Sequence, residues 1–317
     1  MDVDLAWIAN ATGAARASRG DRIQSLWSGY GEIVRVELSG GAYKSAIVKF
    51  AKPPALVSRD EARSHARKCR SYDVEIAWYR GLAKQCDDTC RVPALLASKI
   101  AKDEWTFILE DLDSAGFSGR SRDPSPTQNE TCLAWLAAFH ARFLNQAPAA
   151  LWKSGTYWHL QTRPDELAAI DDEALRVAAP IIDRKLNEAQ FRTLVHGDAK
   201  PANFCFSPNG SAVAAVDFQY VGGGCGIKDV AYFLYDDNRP PAVEARYLDS
   251  YFDRLREAVG RRDDAVDVGA LEREWRELYP FAKVDFFRFL AGWAKPYWKN
   301  ETRARAFTRD LLRSLEK

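Results

Sequence analysis

The chain has 317 residues, 47% hydrophobic and 28% charged, enough for two lobes or one large domain with a sizeable core. Lys plus Arg number 45 against 44 Asp plus Glu, so the formal net charge is +1 and no global field points to nucleic acid or an anionic membrane as a partner. Met1-Asp2-Val3-Asp4 carries neither the positive segment nor the apolar stretch of a signal peptide, and no apolar run approaches the roughly 20 residues of a membrane span. Cys69, Cys86, Cys90, Cys132, Cys205 and Cys225 are scattered without a Cys-x-x-Cys pair, which favours free thiols in a reducing compartment over a disulfide framework or a zinc site. The expectation is a cytoplasmic protein.

In chain order, Ile23 to Phe50 reads as β-structure. Ile33 to Leu38 partly alternates, Ser39-Gly40-Gly41 supplies a turn, and Ser45 to Phe50 forms the next strand before Lys52-Pro53-Pro54 stops it. Gly29-Tyr30-Gly31 lies between strands, where a plain hairpin turn and a phosphate-covering turn both fit. Asp60 to Lys84 has a helical pattern with Tyr72 to Leu82 as its core segment, and the basic run Arg63 to Arg70 reads as solvated. Strands follow at Ala94 to Ile100 and at Trp105 to Leu109, the second ending in Glu110-Asp111-Leu112. Ser114 to Gln128, rich in Gly, Ser and Pro, reads as a loop after a domain boundary. Glu130 to Asn145 and Pro164 to Glu188 are helical, and the chain from Asp229 onward is largely so. The fold class is therefore α+β, with a β-rich front at residues 1–112 and a helical body at residues 113–317.

The densest chemistry lies in Val195-His196-Gly197-Asp198-Ala199-Lys200-Pro201-Ala202-Asn203, followed by Val216-Asp217-Phe218 after an apolar strand. This order and spacing fits phosphoryl transfer, which asks the protein for positioning and charge compensation more than for covalent chemistry. Asp198 is the candidate proton acceptor for an attacking hydroxyl. Asn203 and Asp217 offer one neutral and one charged oxygen, a donor set that suits Mg²⁺ shared with phosphate oxygens. His196 is expected to orient the loop, and Lys200 either touches the transferring phosphate or neutralises Asp198. Lys49, on a strand between Val48 and Phe50, is the candidate cation for ATP phosphates, with Glu75 as its partner and Glu61 and Glu32 as competitors. Glu110 and Leu112 bracket a strand end whose backbone suits the edge of adenine. Asp229, at the start of an apolar helix, reads as a cap and a tie to the catalytic loop, and Gly222-Gly223-Gly224 as a stretch that permits tight turning.

These motifs resemble the aminoglycoside phosphotransferase and choline kinase branch of the protein-kinase-like fold, and within it the ecdysteroid-kinase-like group. The carriers are Gly197 within His-Gly-Asp, Asp217-Phe218-Gln219 in place of Asp-Phe-Gly, the segment Ser71 to Tyr79, and Leu109-Glu110-Asp111-Leu112. The resemblance runs from about Ile23 to beyond Tyr235. It implies a two-lobed kinase fold, ATP and Mg²⁺ in an interlobe cleft, and phosphorylation of a small-molecule hydroxyl. By analogy Lys49 and Glu75 position phosphate, Asp198 is the base, and Asn203 and Asp217 bind metal. The sparse glycine turn at Gly29 and Gly31, together with Lys200, departs from the branch.

Fold does not choose the acceptor. Tyr157, Trp158, Tyr232, Tyr235, Trp293, Tyr297 and Trp298 could line a pocket for a steroid-like alcohol or an amino alcohol, or fill the core. Asp236 and Asp237 could receive the amino group of an aminoglycoside-like acceptor, or belong to a solvated loop. A catalytically silent kinase-like binding protein is the competing reading. A protein kinase is disfavoured, because the path from Asp217 to Asp229 is short and has no Ala-Pro-Glu closing motif.

Overall fold

The computed structural model describes residues 4–54 and 62–315. Its helices and strands begin with α1 (Leu5–Thr12), β1 (Arg16–Ser25), β2 (Gly31–Ser39), β3 (Ser45–Ala51), α2 (Ala62–Arg80), β4 (Leu95–Ala101), β5 (Glu104–Glu110) and β6 (Gly119–Arg120). Next come α3 (Pro126–Arg142), α4 (Pro164–Ala168), α5 (Glu173–Asn187), β7 (Thr193–Val195), β8 (Phe204–Phe206), β9 (Val213–Ala215) and β10 (Gly222–Gly224). The chain ends in α6 (Ile227–Phe233), α7 (Pro241–Val259), α8 (Val268–Trp293), α9 (Lys295–Trp298) and α10 (Thr302–Leu315). Two compact units result, one of Met1–Arg122 with Phe204–Gln219 and the other of Asp123–Asn203 with Tyr220–Lys317.

The first unit is built on an antiparallel sheet in the order β1-β2-β3-β5-β4. Side chains alternate between the faces of a strand. One face gathers Val34, Val36, Leu38, Ala46 and Val48 around Ile8 of α1, which buries them together with Ile108. Lys49 follows Val48 and so takes the opposite face, in register with Ile33 on one side and Phe107 on the other. Helix α2 presents Tyr72 to Trp105 of β5, with ring centroids 5.5 Å apart. The alternation that buries the apolar face therefore turns Lys49 towards a helix. A three-stranded sheet, β6-β8-β9, completes this unit.

Helices dominate the second unit. A capping box at Ser125 and Gln128, with Pro126 behind it, starts α3. This helix buries Trp135 and Phe139, whose rings stack 4.9 Å apart. Helix α8, capped by Asp267, is the longest and buries Trp275, Phe286 and Phe289 among others. β7 pairs with β10 antiparallel, Val195 opposite Gly222 and Thr193 opposite Gly224. The glycine run at 222–224 is therefore a strand and not the turning loop that its composition suggested. Among the described residues no helix is long and apolar enough to cross a membrane, and all six cysteines are free thiols.

Candidate active site

Lys49 and Glu75 are both buried, and Lys49 Nζ donates to Glu75 Oε2 at 2.7 Å. Of the competitors, Glu32 pairs with Arg19 at 2.8 Å, and Glu61 lies outside the described residues. Asp217 Oδ1 stands 3.6 Å from Lys49 Nζ. Burial works against the charge on Lys49, but the carboxylates of Glu75 and Asp217 outweigh it and hold the ammonium well above its ordinary range. The ammonium thus keeps its charge in a dry setting, whereas burial pushes the Glu75 carboxyl up to about 7, Lys49 opposing the shift and Asp217 adding to it.

Asp217 lies two residues beyond β9, in the left-handed region at φ 68°. A non-glycine residue there costs about 1 to 2 kcal/mol. Phe218 helps hold it: the ring is fully buried, stacks on Trp78 at 4.8 Å and meets Tyr79 edge-on at 5.9 Å. Trp78 and Tyr79 follow Glu75 by three and four residues, so one face of α2 carries both the partner of Lys49 and the seat of Phe218. Asp217 Oδ1 is buried yet takes no hydrogen bond.

The glycine turn joins β1 to β2. Gly29 has φ 73° with open space around it. Gly31 has φ 141°, and a Cβ there would sit 2.0 Å from Phe50 O on the neighbouring strand. The turn is tied to α2, because Lys68 Nζ donates to Ser28 Oγ at 2.8 Å and the Tyr30 hydroxyl pairs with His65 Nδ1 at 2.7 Å. At the end of β5, Arg91 holds both Glu110 carboxylate oxygens, at 2.6 and 2.7 Å. Glu110 N–H donates to Ala94 O, and Leu112 C=O accepts from Phe117 N–H.

In the second unit, the loop from His196 to Asn203 leaves β7 through Gly197 at φ 82°. A Cβ at Gly197 would lie 2.2 Å from Tyr220 O and 2.8 Å from Thr156 N, so only glycine fits. Asp198 Oδ2 accepts from Lys200 Nζ at 2.8 Å and from Asn203 Nδ2 at 2.9 Å. Asn203 Nδ2 also donates to Asp198 O at 2.8 Å, so its amide nitrogen is spent inward while Oδ1 takes no hydrogen bond from the described residues. Asp198 N–H donates to His196 Nδ1 at 3.2 Å, the loop-orienting part expected of His196.

Asp229 is fully buried, and its carboxylate accepts from His196 N–H at 2.6 Å, Gly197 N–H at 2.9 Å and His140 Nε2 at 3.1 Å. It ties down the loop, as expected, but it does not cap its helix: the N-cap is Gly226, with no side-chain bond. Sequence reasoning missed two partners here. His140 comes from α3, far away in sequence. Tyr232, one turn after Asp229 on α6, donates its hydroxyl to Asp198 Oδ1 at 3.3 Å. That one-turn spacing from Asp229 was the available signal.

The aromatic set divides. Trp158 is core, whereas Trp293 and Tyr297 are 57% and 50% exposed. A groove of about 460 Å³ in this unit is lined by Tyr235, Tyr279, Phe287 and Phe307 together with Asp236 and Asp237. The two Asp237 carboxylate oxygens accept from the N–H groups of Arg303 and Ala304 in the first turn of α10. Asp236 Oδ1 accepts from Asn238 N–H.

One unit thus holds a carboxylate pinned in a loop by an asparagine and a lysine, and the other a buried Lys–Glu pair beside a second carboxylate. The sequence matches the family model of the phosphotransferase enzyme family over residues 22–263, and the chain belongs to that family. No curated protein matches it. Among solved structures it is similar to a candidate fructosamine-3-kinase from Thermobifida fusca, with 18% identity, 98% of this chain and 99% of that chain covered, and a TM-score of 0.55. It is also similar to the choline kinase LicA from Streptococcus pneumoniae, with 13% identity, coverages of 96% and 97%, and a TM-score of 0.48. An aminoglycoside phosphotransferase from Streptomyces rimosus, in complex with ADP and streptomycin, shares 16% identity over 78% of this chain and 90% of that chain, with a TM-score of 0.43. The first of these likenesses identifies the fold as protein-kinase-like, with an antiparallel sheet in front and a helical remainder.

Proposed function

We propose that this phosphotransferase is an ATP-dependent small-molecule kinase that moves the γ-phosphoryl group onto a hydroxyl of a small acceptor. The observation that carries this reading is Asp217: a strained residue whose buried Oδ1 takes no hydrogen bond although a buried, charged Lys49 stands 3.6 Å away. Such an oxygen is costly unless something else uses it, and a cation bound to phosphate is the partner that its chemistry suits. Asp217 and Asn203, each with an oxygen to give, are the residues that would hold Mg²⁺, which when bound supplies charge neutralisation of the phosphates.

Lys49, directed by Glu75, is assigned to the nucleotide phosphates, with the Gly29–Gly31 turn and the Glu110–Leu112 strand end as further nucleotide contacts from the β-rich front. Asp198 receives the acceptor's hydroxyl proton as the acceptor oxygen bonds to the γ-phosphorus. The bond from that phosphorus to the β,γ-bridging oxygen breaks, and ADP leaves with the electron pair. Lys200, beside Asp198 and 44% exposed, places positive charge near the transferred group. The aromatic walls of the second unit support a steroid-like alcohol or an amino alcohol as the acceptor. Asp217-Phe218-Gln219 supports placement in the ecdysteroid-kinase-like group.

The test is an ATP-consumption screen across sterols, amino alcohols, aminoglycosides, nucleosides and sugars, with Asp198→Ala as control. Turnover on one acceptor class that falls by about 10³-fold in Asp198→Ala is the expected result. Nucleotide binding without turnover on any class would favour the silent binding protein instead.

A further inference from the structure

We propose that Tyr232 is a positioning residue for proton transfer, holding the Asp198 carboxylate so that Oδ1, and not Oδ2, takes the acceptor's proton. This rests on Asp198 being the proton acceptor. A carboxylate oxygen has two lone-pair sites, and Asp198 Oδ2 already accepts from both Lys200 and Asn203. Oδ1 accepts from the Tyr232 hydroxyl at 3.3 Å, and that hydroxyl accepts in turn from the Tyr157 hydroxyl at 3.4 Å. The chain of donors therefore runs one way, from Tyr157 through Tyr232 to Oδ1, and each bond polarises the next. Burial pushes both phenols above their ordinary range, so both remain donors.

The Tyr232 ring has little freedom. It meets Tyr157 at 5.7 Å, Trp158 at 4.9 Å and Phe286 at 4.8 Å. Its backbone belongs to α6, the helix whose Asp229 grips the N–H groups of His196 and Gly197. One short helix thus fixes the loop's main chain through Asp229 and the direction of its carboxylate through Tyr232. In the transfer step the proton leaves the acceptor oxygen for Oδ1, that oxygen bonds to phosphorus, and the bridging oxygen departs with ADP.

The experiment measures kcat and the KM for ATP of Tyr232→Phe, Tyr157→Phe and Asp198→Ala, using the acceptor identified by the screen and, in parallel, water as acceptor in ATP hydrolysis. Tyr232→Phe is expected to lower kcat about tenfold, the worth of one oriented hydrogen bond, with the KM for ATP and the melting temperature unchanged. Tyr157→Phe, which leaves Tyr232 in place, is expected to lower kcat about threefold, and it carries the test should Tyr232→Phe misfold. A crystal structure of Tyr232→Phe should show the Asp198 carboxylate rotated. Full kcat in both Phe variants beside an inactive Asp198→Ala, or an unmoved Asp198 in that crystal, overturns the positioning role alone. Full activity in Asp198→Ala overturns the underlying assignment of the base.

Discussion

The two units assemble their charged groups by opposite routes. In the first, Lys49 of β3 and Glu75 of α2 meet in a dry interior, with the partly exposed Asp217, two residues beyond β9, beside them. In the second, Asp198, Lys200 and Asn203 lie within six residues of one loop, and backbone contacts set their geometry. The first arrangement depends on charge balance inside a core, because charges there have exchanged hydration for one another. The second depends on the path of the main chain. Substitutions should therefore fail differently in the two units.

The largest effect is expected at Lys49. Lys49→Met leaves Glu75 buried without its cation, which should cost about 3 to 5 kcal/mol in denaturant unfolding, and turnover should fall at least 10²-fold. The double variant Lys49→Met/Glu75→Leu removes both charges and should regain most of the stability but none of the turnover. Equal stability of the single variant and the parent would show that the first unit does not depend on charge balance.

Next in size is Gly197→Ala. A Cβ at 2.2 Å from Tyr220 O and a φ of 82° combine a clash with strain, so a loss of about 3 kcal/mol is expected, with turnover falling alongside it. Gly29 provides the control, since its φ is 73° but nothing lies within 4 Å of a Cβ there. Gly29→Ala should cost only the conformational penalty, about 1 kcal/mol. If the two cost the same, the main-chain path at Gly197 is not what holds the catalytic loop.

The same contrast explains what could be read in the sequence. The loop motif was legible because its residues answer to one another locally: Asn203 reaches Asp198 across five positions and His196 across two. The Lys49–Glu75 pair was only one choice among three acids, and the fold decides it by setting Lys49 and Glu75 on facing sides of a strand and a helix. β1 was legible only from Ile23, because Arg16 to Arg22 is an exposed, polar run at the sheet edge with no alternation to detect. α1 did carry signals that were overlooked, the cap at Asp4 and the left-handed Gly13. The return of Phe204–Gln219 to the first unit has no local marker at all, because a long-range strand pairing with Gly119 and Arg120 makes it. Tyr232 was noticed as an aromatic residue, but its hydroxyl's target emerges only once α6 is docked on the loop.

The smallest effect sharpens the comparison between buried bases. Lys49 keeps its charge because two carboxylates face it, whereas His159, buried with Nδ1 bonded to Thr156 O, has no such partner in contact. Burial pushes its imidazole down to about 4, against 6.5 in the open, with the nearby Lys228 and Arg288 adding to the shift and Asp285 opposing it. Between these two values the unfolded chain binds the proton and the folded chain does not, so stability falls as the pH falls through that window. By pH 5 the loss attributable to this one group should be about 2 kcal/mol relative to neutral pH. Carboxylates titrate in the same range, so the quantity to measure is the difference in melting temperature between the parent and His159→Gln from pH 7 to pH 5. The gap between the two proteins should narrow as the pH falls, because only the parent pays the cost of keeping this ring neutral. A gap that stays constant would mean that His159 takes up its proton without cost.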